Sequence, residues 1–122
     1  MIFVIDDDEI MAECITSAIT KLDGINKSEV RIFSDAIMAM NAISDGEIPK
    51  IIFLDILLSG PDGFTFLNEL MSYSDTAKIP IVIVTSLNLR QVDLSVYGVV
   101  GVLEKEKMTP QEIMEYAKKY VG

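Results

Sequence analysis

The chain has 122 residues, half of them hydrophobic, which is enough for one compact domain with a real core, expected to span residues 1–122. Its formal net charge of -9 argues against a nucleic-acid surface, which needs clustered Lys and Arg, and against contact with anionic membrane. There is no apolar stretch of membrane-spanning length, no basic segment before Asp6 to suggest a signal peptide, and no histidine for a metal site or a triad.

In chain order, Ile2–Ile5 is an apolar run that reads as a buried strand. Asp6, Asp7, Asp8 and Glu9 follow it. Asp8 is placed to cap a helix carrying Ile10, Met11, Cys14, Ile15, Ala18, Ile19 and Leu22 at helical spacing. The lone Cys14 falls on that apolar stripe, so an inert core thiol in a reducing cytoplasm is expected. After a turn at Gly24 and Asn26, Val30–Phe33 reads as a weaker strand, interrupted by Arg31. Ser34 or Asp35 can cap a second helix through Ile43, which Gly46 and Pro49 end.

Ile51–Leu54 is apolar throughout, as strands buried in parallel sheets tend to be, and Asp55 follows it directly. The cluster Ser59-Gly60-Pro61-Asp62-Gly63 is a turn, and a helix with Phe64, Leu67, Leu70 and Met71 comes next. Ile81–Val84 is a fourth strand ending at Thr85. The segment from Leu89 to Tyr97 has the weakest pattern, and a short helix is one reading of it. Val99–Leu103 is a fifth strand, with Lys105 just beyond. Thr109 and Pro110 suit the start of a last helix carrying Ile113, Met114, Ala117 and Tyr120. Met11, Met38, Met40 and Met71 are expected in or near the core. Tyr97, Tyr116 and Tyr120 suit either a partner face or helix-to-sheet packing.

Five strands alternating with helices imply an α/β fold, with a doubly wound parallel sheet covered by helices on both faces. Sites in such sheets form at the carboxyl ends of the strands. That rule gathers Asp6, Asp7, Asp55, Thr85 and Lys105. Dense carboxylate oxygens suit a hard divalent cation, Mg²⁺ or alternatively Mn²⁺. A carboxylate beside such a cation is a competent nucleophile toward phosphorus. The Thr85 hydroxyl can donate to a phosphoryl oxygen, and Lys105 can pair with Asp55 at rest and with the phosphoryl group afterwards.

These five residues, in this order on four strand ends, resemble the receiver domain of two-component response regulators over nearly the whole chain. The family carries an acidic pair after strand one (Asp6, Asp7), an aspartate after strand three (Asp55), Thr or Ser after strand four (Thr85) and Lys after strand five (Lys105). The resemblance implies a flavodoxin-like strand order of 2-1-3-4-5. It implies that Asp55 is the phosphoacceptor and that Asp6, Asp7 and Asp55 bind the metal with the backbone carbonyl of Leu57, Asp7 leading the acidic pair. It also implies that a histidine kinase or histidine phosphotransfer protein donates the phosphoryl group, and that a downstream protein, or a fused output domain outside this chain, reads the result. Two departures bear on output. Val102 stands where the family's aromatic switch residue usually sits, and Glu106 where proline usually follows the lysine; Ser59 also stands where proline is frequent. The implied function is a cytoplasmic signalling switch rather than an enzyme. Two alternatives stand beside it: a phospho-independent interaction module of the same fold and, ranked lower, a small Mg²⁺-dependent phosphohydrolase, for which the chain has no room for a cap insertion.

Overall fold

The computed structural model describes residues 1–58, 63–86 and 94–121. Its strands are β1 (Ile2–Ile5), β2 (Val30–Phe33), β3 (Ile51–Leu54), β4 (Ile81–Thr85) and β5 (Val99–Glu104), and its helices are α1 (Glu9–Ile19), α2 (Ala36–Ser44), α3 (Gly63–Met71) and α4 (Pro110–Val121). The strands form one parallel sheet, as their alternation with helices implies, and their order is the β2-β1-β3-β4-β5 that the resemblance implies.

Period-two alternation divides the sheet's side chains between two faces. Phe3, Ile5, Ile52, Leu54, Ile81 and Ile83 pack with α2 and α3 on one face. Ile2, Val4, Ile51, Phe53, Val82 and Val84 pack with α1 and α4 on the other. The three inner strands are therefore buried along their whole length, which is why they read as unbroken apolar runs. The edge strands differ. In β2, exposed Arg31 pairs with Glu47 and lies 5.1 Å over the Phe33 ring, so its charge sits on the rim and does not break the strand. In β5, a register shift opposite Ile81 and Val82 accompanies partial exposure of Val100 (40%) and Val102 (38%).

The helix caps follow the local chemistry. Asp8 caps α1 by accepting from the Ile10 and Met11 amides, and of the two candidates before α2 it is Asp35 that accepts from Met38 N. At α4, Thr109 and Glu112 exchange hydrogen bonds as a capping box. Tyr97, Tyr116 and Tyr120 are half-buried against the two cores, which makes them helix-to-sheet packing. Gly101 makes room for one of them, because a Cβ there would lie 2.1 Å from Tyr116 Oη.

Several expectations about side chains are corrected. Cys14 is exposed, not a core thiol. Ile10, on the same predicted stripe, is 78% exposed, because α1 turns Ala12, Ile15, Ala18 and Ile19 inward instead. Met38 and Met71 are also exposed, while Met11 and Met40 pack against the cores. The turn cluster at 59–62 and most of the 89–97 segment lie outside the described residues; the part of the latter that is described holds a 3-10 turn at Ser95–Tyr97. Among the described residues, no helix is long and apolar enough to cross a membrane.

Candidate functional site: an acidic triad closed by a lysine

The site is assembled by main-chain hydrogen bonds that continue the sheet past its strand ends. Asp6 N donates to Phe33 O at 3.0 Å, which ties the first strand end to the second, and Asp55 N donates to Ile5 O at 2.9 Å, which sets the third strand end beside the first. Lys105 N donates to Thr85 O at 2.9 Å and ties the fifth end to the fourth. The five sequence-predicted positions, on four strand ends, thus become neighbours because their strands are.

Asp6 and Asp55 are buried at the ends of β1 and β3, and Asp7 is exposed beside them. One carboxylate oxygen from each of Asp6, Asp7 and Asp55 lies within 4.8 Å of the others. Thr85, the last residue of β4, is fully buried. Lys105 Nζ donates to Asp55 Oδ2 at 3.0 Å and lies 3.1 Å from Asp6 Oδ2. The strand-end pattern points to the Lys105–Asp55 pair; no pattern in the chain signals the second contact. Leu57 contributes its main chain, since its N–H donates to Asp55 Oδ1 at 2.9 Å while its side chain is half exposed. Asp8 supports the site through its amide, which donates to Asp6 Oδ1 at 2.9 Å, as well as capping α1. Glu9 lies exposed in the first turn of that helix. Glu106 follows Lys105 in a turn held by Glu104 O, which accepts from the amides of Lys107 and Met108. With glutamate in that place, Lys105 still reaches both aspartates.

The electrostatics follow from this packing. Burial raises the Asp6 pKa above its ordinary value of 3.8; the Asp8 amide and Lys105 oppose the rise, and the neighbouring Asp55 adds to it. Burial alone would lower Lys105, but its hydrogen bonds and charge contacts with Asp55 and Asp6 outweigh that and raise it above 10.5. Asp6 Oδ2 is buried without an aligned hydrogen bond, so its partner is the ionic contact with Lys105. A buried carboxylate oxygen held this way, in an all-oxygen cluster open to solvent at Asp7, fits a hard divalent cation.

Residues 2–118 match the family model of the response regulator receiver domain. The chain belongs to that family. A receiver domain is a signalling module and not an enzyme in the ordinary sense. Among related sequences, a protein-glutamate methylesterase/protein-glutamine glutaminase 2 of Chromobacterium violaceum is 31% identical over 108 residues, covering 85% of this receiver domain and 29% of that protein. Response regulator PleD of Caulobacter vibrioides is 33% identical over 89 residues, or 73% of this chain and 18% of its own. This receiver domain thus spans less than a third of either relative. Among solved structures, the receiver domain of NtrX from Brucella abortus superposes with a TM-score of 0.80 at 24% identity, covering 99% of this chain and 98% of that one.

Proposed function

We propose that residues 1–122 act as one phosphoacceptor switch in a two-component phosphorelay, with Asp55 receiving a phosphoryl group from the histidine of a kinase or phosphotransfer protein. The observation that carries this reading is the convergence of Asp6, Asp7 and Asp55 within 4.8 Å, with the Lys105 ammonium 3.0 Å from Asp55 Oδ2. An oxygen of Asp55 attacks phosphorus, the O–P bond forms, the donor's N–P bond breaks, and the electron pair of that bond returns to the imidazole ring. Lys105 follows the charge from the carboxylate to the new phosphoryl oxygens, and Thr85 donates to another of them. Asp6, Asp7, Asp55 and the Leu57 carbonyl are the groups that would hold Mg²⁺, or Mn²⁺ in its place; the cation supplies charge neutralisation on the transferring oxygens. Hydrolysis of the acyl phosphate resets the switch.

Phosphorylation favours one of two states of the strand-end loops, and a downstream protein or fused output domain binds that state better. The donor and reader fit a cytoplasmic setting. One observation favours a second reading. Val102, where an aromatic switch residue is usual, is a small aliphatic side chain 38% exposed on β5. A phospho-independent interaction module would need no switch there.

Intact mass and amide NMR spectra decide between them, recorded with Mg²⁺ and acetyl phosphate, or with beryllofluoride, for wild type and Asp55→Asn. An adduct confined to wild type, with shifts reaching Thr85, Lys105 and α4, is the expected result. Shifts confined to Asp55 and its neighbours favour the interaction module. Absence of both adduct and Mg²⁺ response overturns the phosphoacceptor reading.

A further inference from the structure

The groove between α2 and α3 stands apart from the acidic triad. Its volume is about 610 Å³, and its apolar lining includes Ile37, Met40, Ile48, Phe66 and Tyr73. Ile37 is 54% exposed, Ile48 47% and Tyr73 57%. Helix α2 carries no charged residue along Ala36–Ser44, although Ile37, Met38, Asn41 and Ser44 face solvent. A solvent-facing helix surface normally carries charge; one that presents isoleucine and methionine instead is the signature of a binding face. Methionine also adapts its shape to a partner's side chains.

The groove has a polarity across its width. Its α2 wall is uncharged, whereas the charged groups among the described lining residues are the carboxylates Glu69 and Asp75 on the α3 side. That asymmetry selects the occupant. Two copies meeting through this groove would each bring Glu69 and Asp75 to a shared interface, on chains that each carry a net charge of -9. An anionic membrane surface is repelled in the same way. An amphipathic helix satisfies both walls: apolar residues at i, i+3/i+4 and i+7 fill the slot, and Lys or Arg along one flank face Glu69 and Asp75.

We propose that the α2–α3 groove is a docking site for an amphipathic helix of a partner protein with a cationic flank. The inference does not depend on phosphorylation of Asp55. The test uses two synthetic peptides of identical leucine face, one with lysine and one with glutamate on the polar face, titrated into the ¹⁵N-labelled chain. The lysine peptide is expected to shift the amides of Ile37, Met40, Glu69 and Tyr73, and the glutamate peptide to leave them unmoved. Ile37→Glu and Glu69→Lys change exposed or groove-lining positions outside the acidic cluster. Each should weaken the lysine peptide at least tenfold, and Glu69→Lys should bring the glutamate peptide into the groove. Shifts centred on another face, equal affinity for the two peptides, binding of neither, or concentration-dependent dimerisation lost in Ile37→Glu would each overturn the proposal.

Discussion

Lys105 Nζ and Asp55 Oδ2 lie 3.0 Å apart although 50 positions separate them in sequence, and the same ammonium lies 3.1 Å from Asp6 Oδ2. One cation therefore balances two buried carboxylates, and the strand-end hydrogen bonds Lys105 N to Thr85 O and Asp55 N to Ile5 O fix where it stands. In Lys105→Met the two aspartates face each other with no counter-ion. Removing one member of a fully buried pair costs roughly 3–5 kcal/mol. The Lys105 side chain retains 17% exposure, so a loss of about 2–3 kcal/mol is expected in urea unfolding. Added Mg²⁺ should return much of it. An unchanged midpoint would show that the ammonium does not balance the pair.

Divalent cation should stabilise the wild-type chain by binding the folded state alone. At a hundred times the dissociation constant the gain is about 2.7 kcal/mol. Asp7→Asn removes the exposed carboxylate of the cluster with little disturbance to the core, so the gain should shrink sharply while stability without metal stays close to wild type. Thermal melts with and without Mg²⁺ measure both quantities. An Asp7→Asn protein that still gains the full increment would place the cation elsewhere.

The pH dependence has a sign that the site's geometry fixes. Asp6 holds its proton more tightly folded than unfolded, because burial raises its pKa above 3.8. Its contribution to stability is therefore complete below 3.8 and is lost as pH rises through the higher folded value. Lys105 is also raised, above 10.5, so its contribution is constant across neutral pH and is lost only in the alkaline range. In metal-free buffer, Asp6→Asn should be more stable than wild type at neutral pH, because the amide keeps an acceptor for the Asp8 N–H without a buried charge. The difference should narrow as pH falls through the raised folded value toward 3.8, and level off below it. Urea midpoints across that range check it, and a difference that widens on acidification would contradict the assignment.

Much of this arrangement was legible in the sequence. Ile2–Ile5, Ile51–Leu54 and Ile81–Thr85 are buried on both faces, so their apolar runs marked the strands, and an aspartate abutting such a run had to emerge at a strand end. Less legible was which way the helices turn. Along α2 nearly every residue is apolar or small, so composition could not say that Ala39 and Ile43 go inward while Ile37 and Met38 face out. On α1, Ile10 and Cys14 fit the helical period but lie on the exposed flank of the stripe. The contact of Lys105 with Asp6 depends on the spacing of three strand ends, and no local pattern encodes it.

Gly63, the first residue of α3, packs against the main chain of Asp55 and Ile56. Its N–H donates to Ile56 O at 3.0 Å, and a Cβ there would lie 2.7 Å from Ile56 Cα and 2.9 Å from Asp55 O. Those atoms are main chain and cannot swing aside. Gly63→Ala should cost about 1–3 kcal/mol as an overpacked contact. It should also slow adduct formation at Asp55, roughly tenfold or more, because the attacking carboxylate moves with its own carbonyl. Mass spectrometry against time in acetyl phosphate reads the rate and urea unfolding reads the stability. Wild-type rate with lowered stability would limit Gly63 to packing.

Gly101 poses the opposite case, in which the obstructing group is a side chain. A Cβ at this position would lie 2.1 Å from Tyr116 Oη and 2.4 Å from its Cζ, so the ring must leave its seat over β5. Gly101→Ala should destabilise by about 1 kcal/mol or more through lost ring packing. The same substitution in a Tyr116→Ala background should cost almost nothing, since the ring it displaces is gone. A double-mutant cycle then gives a coupling energy of about 1 kcal/mol between α4 and the edge strand. Additive costs would mean that Gly101 is required by the bulged backbone of β5 and not by Tyr116.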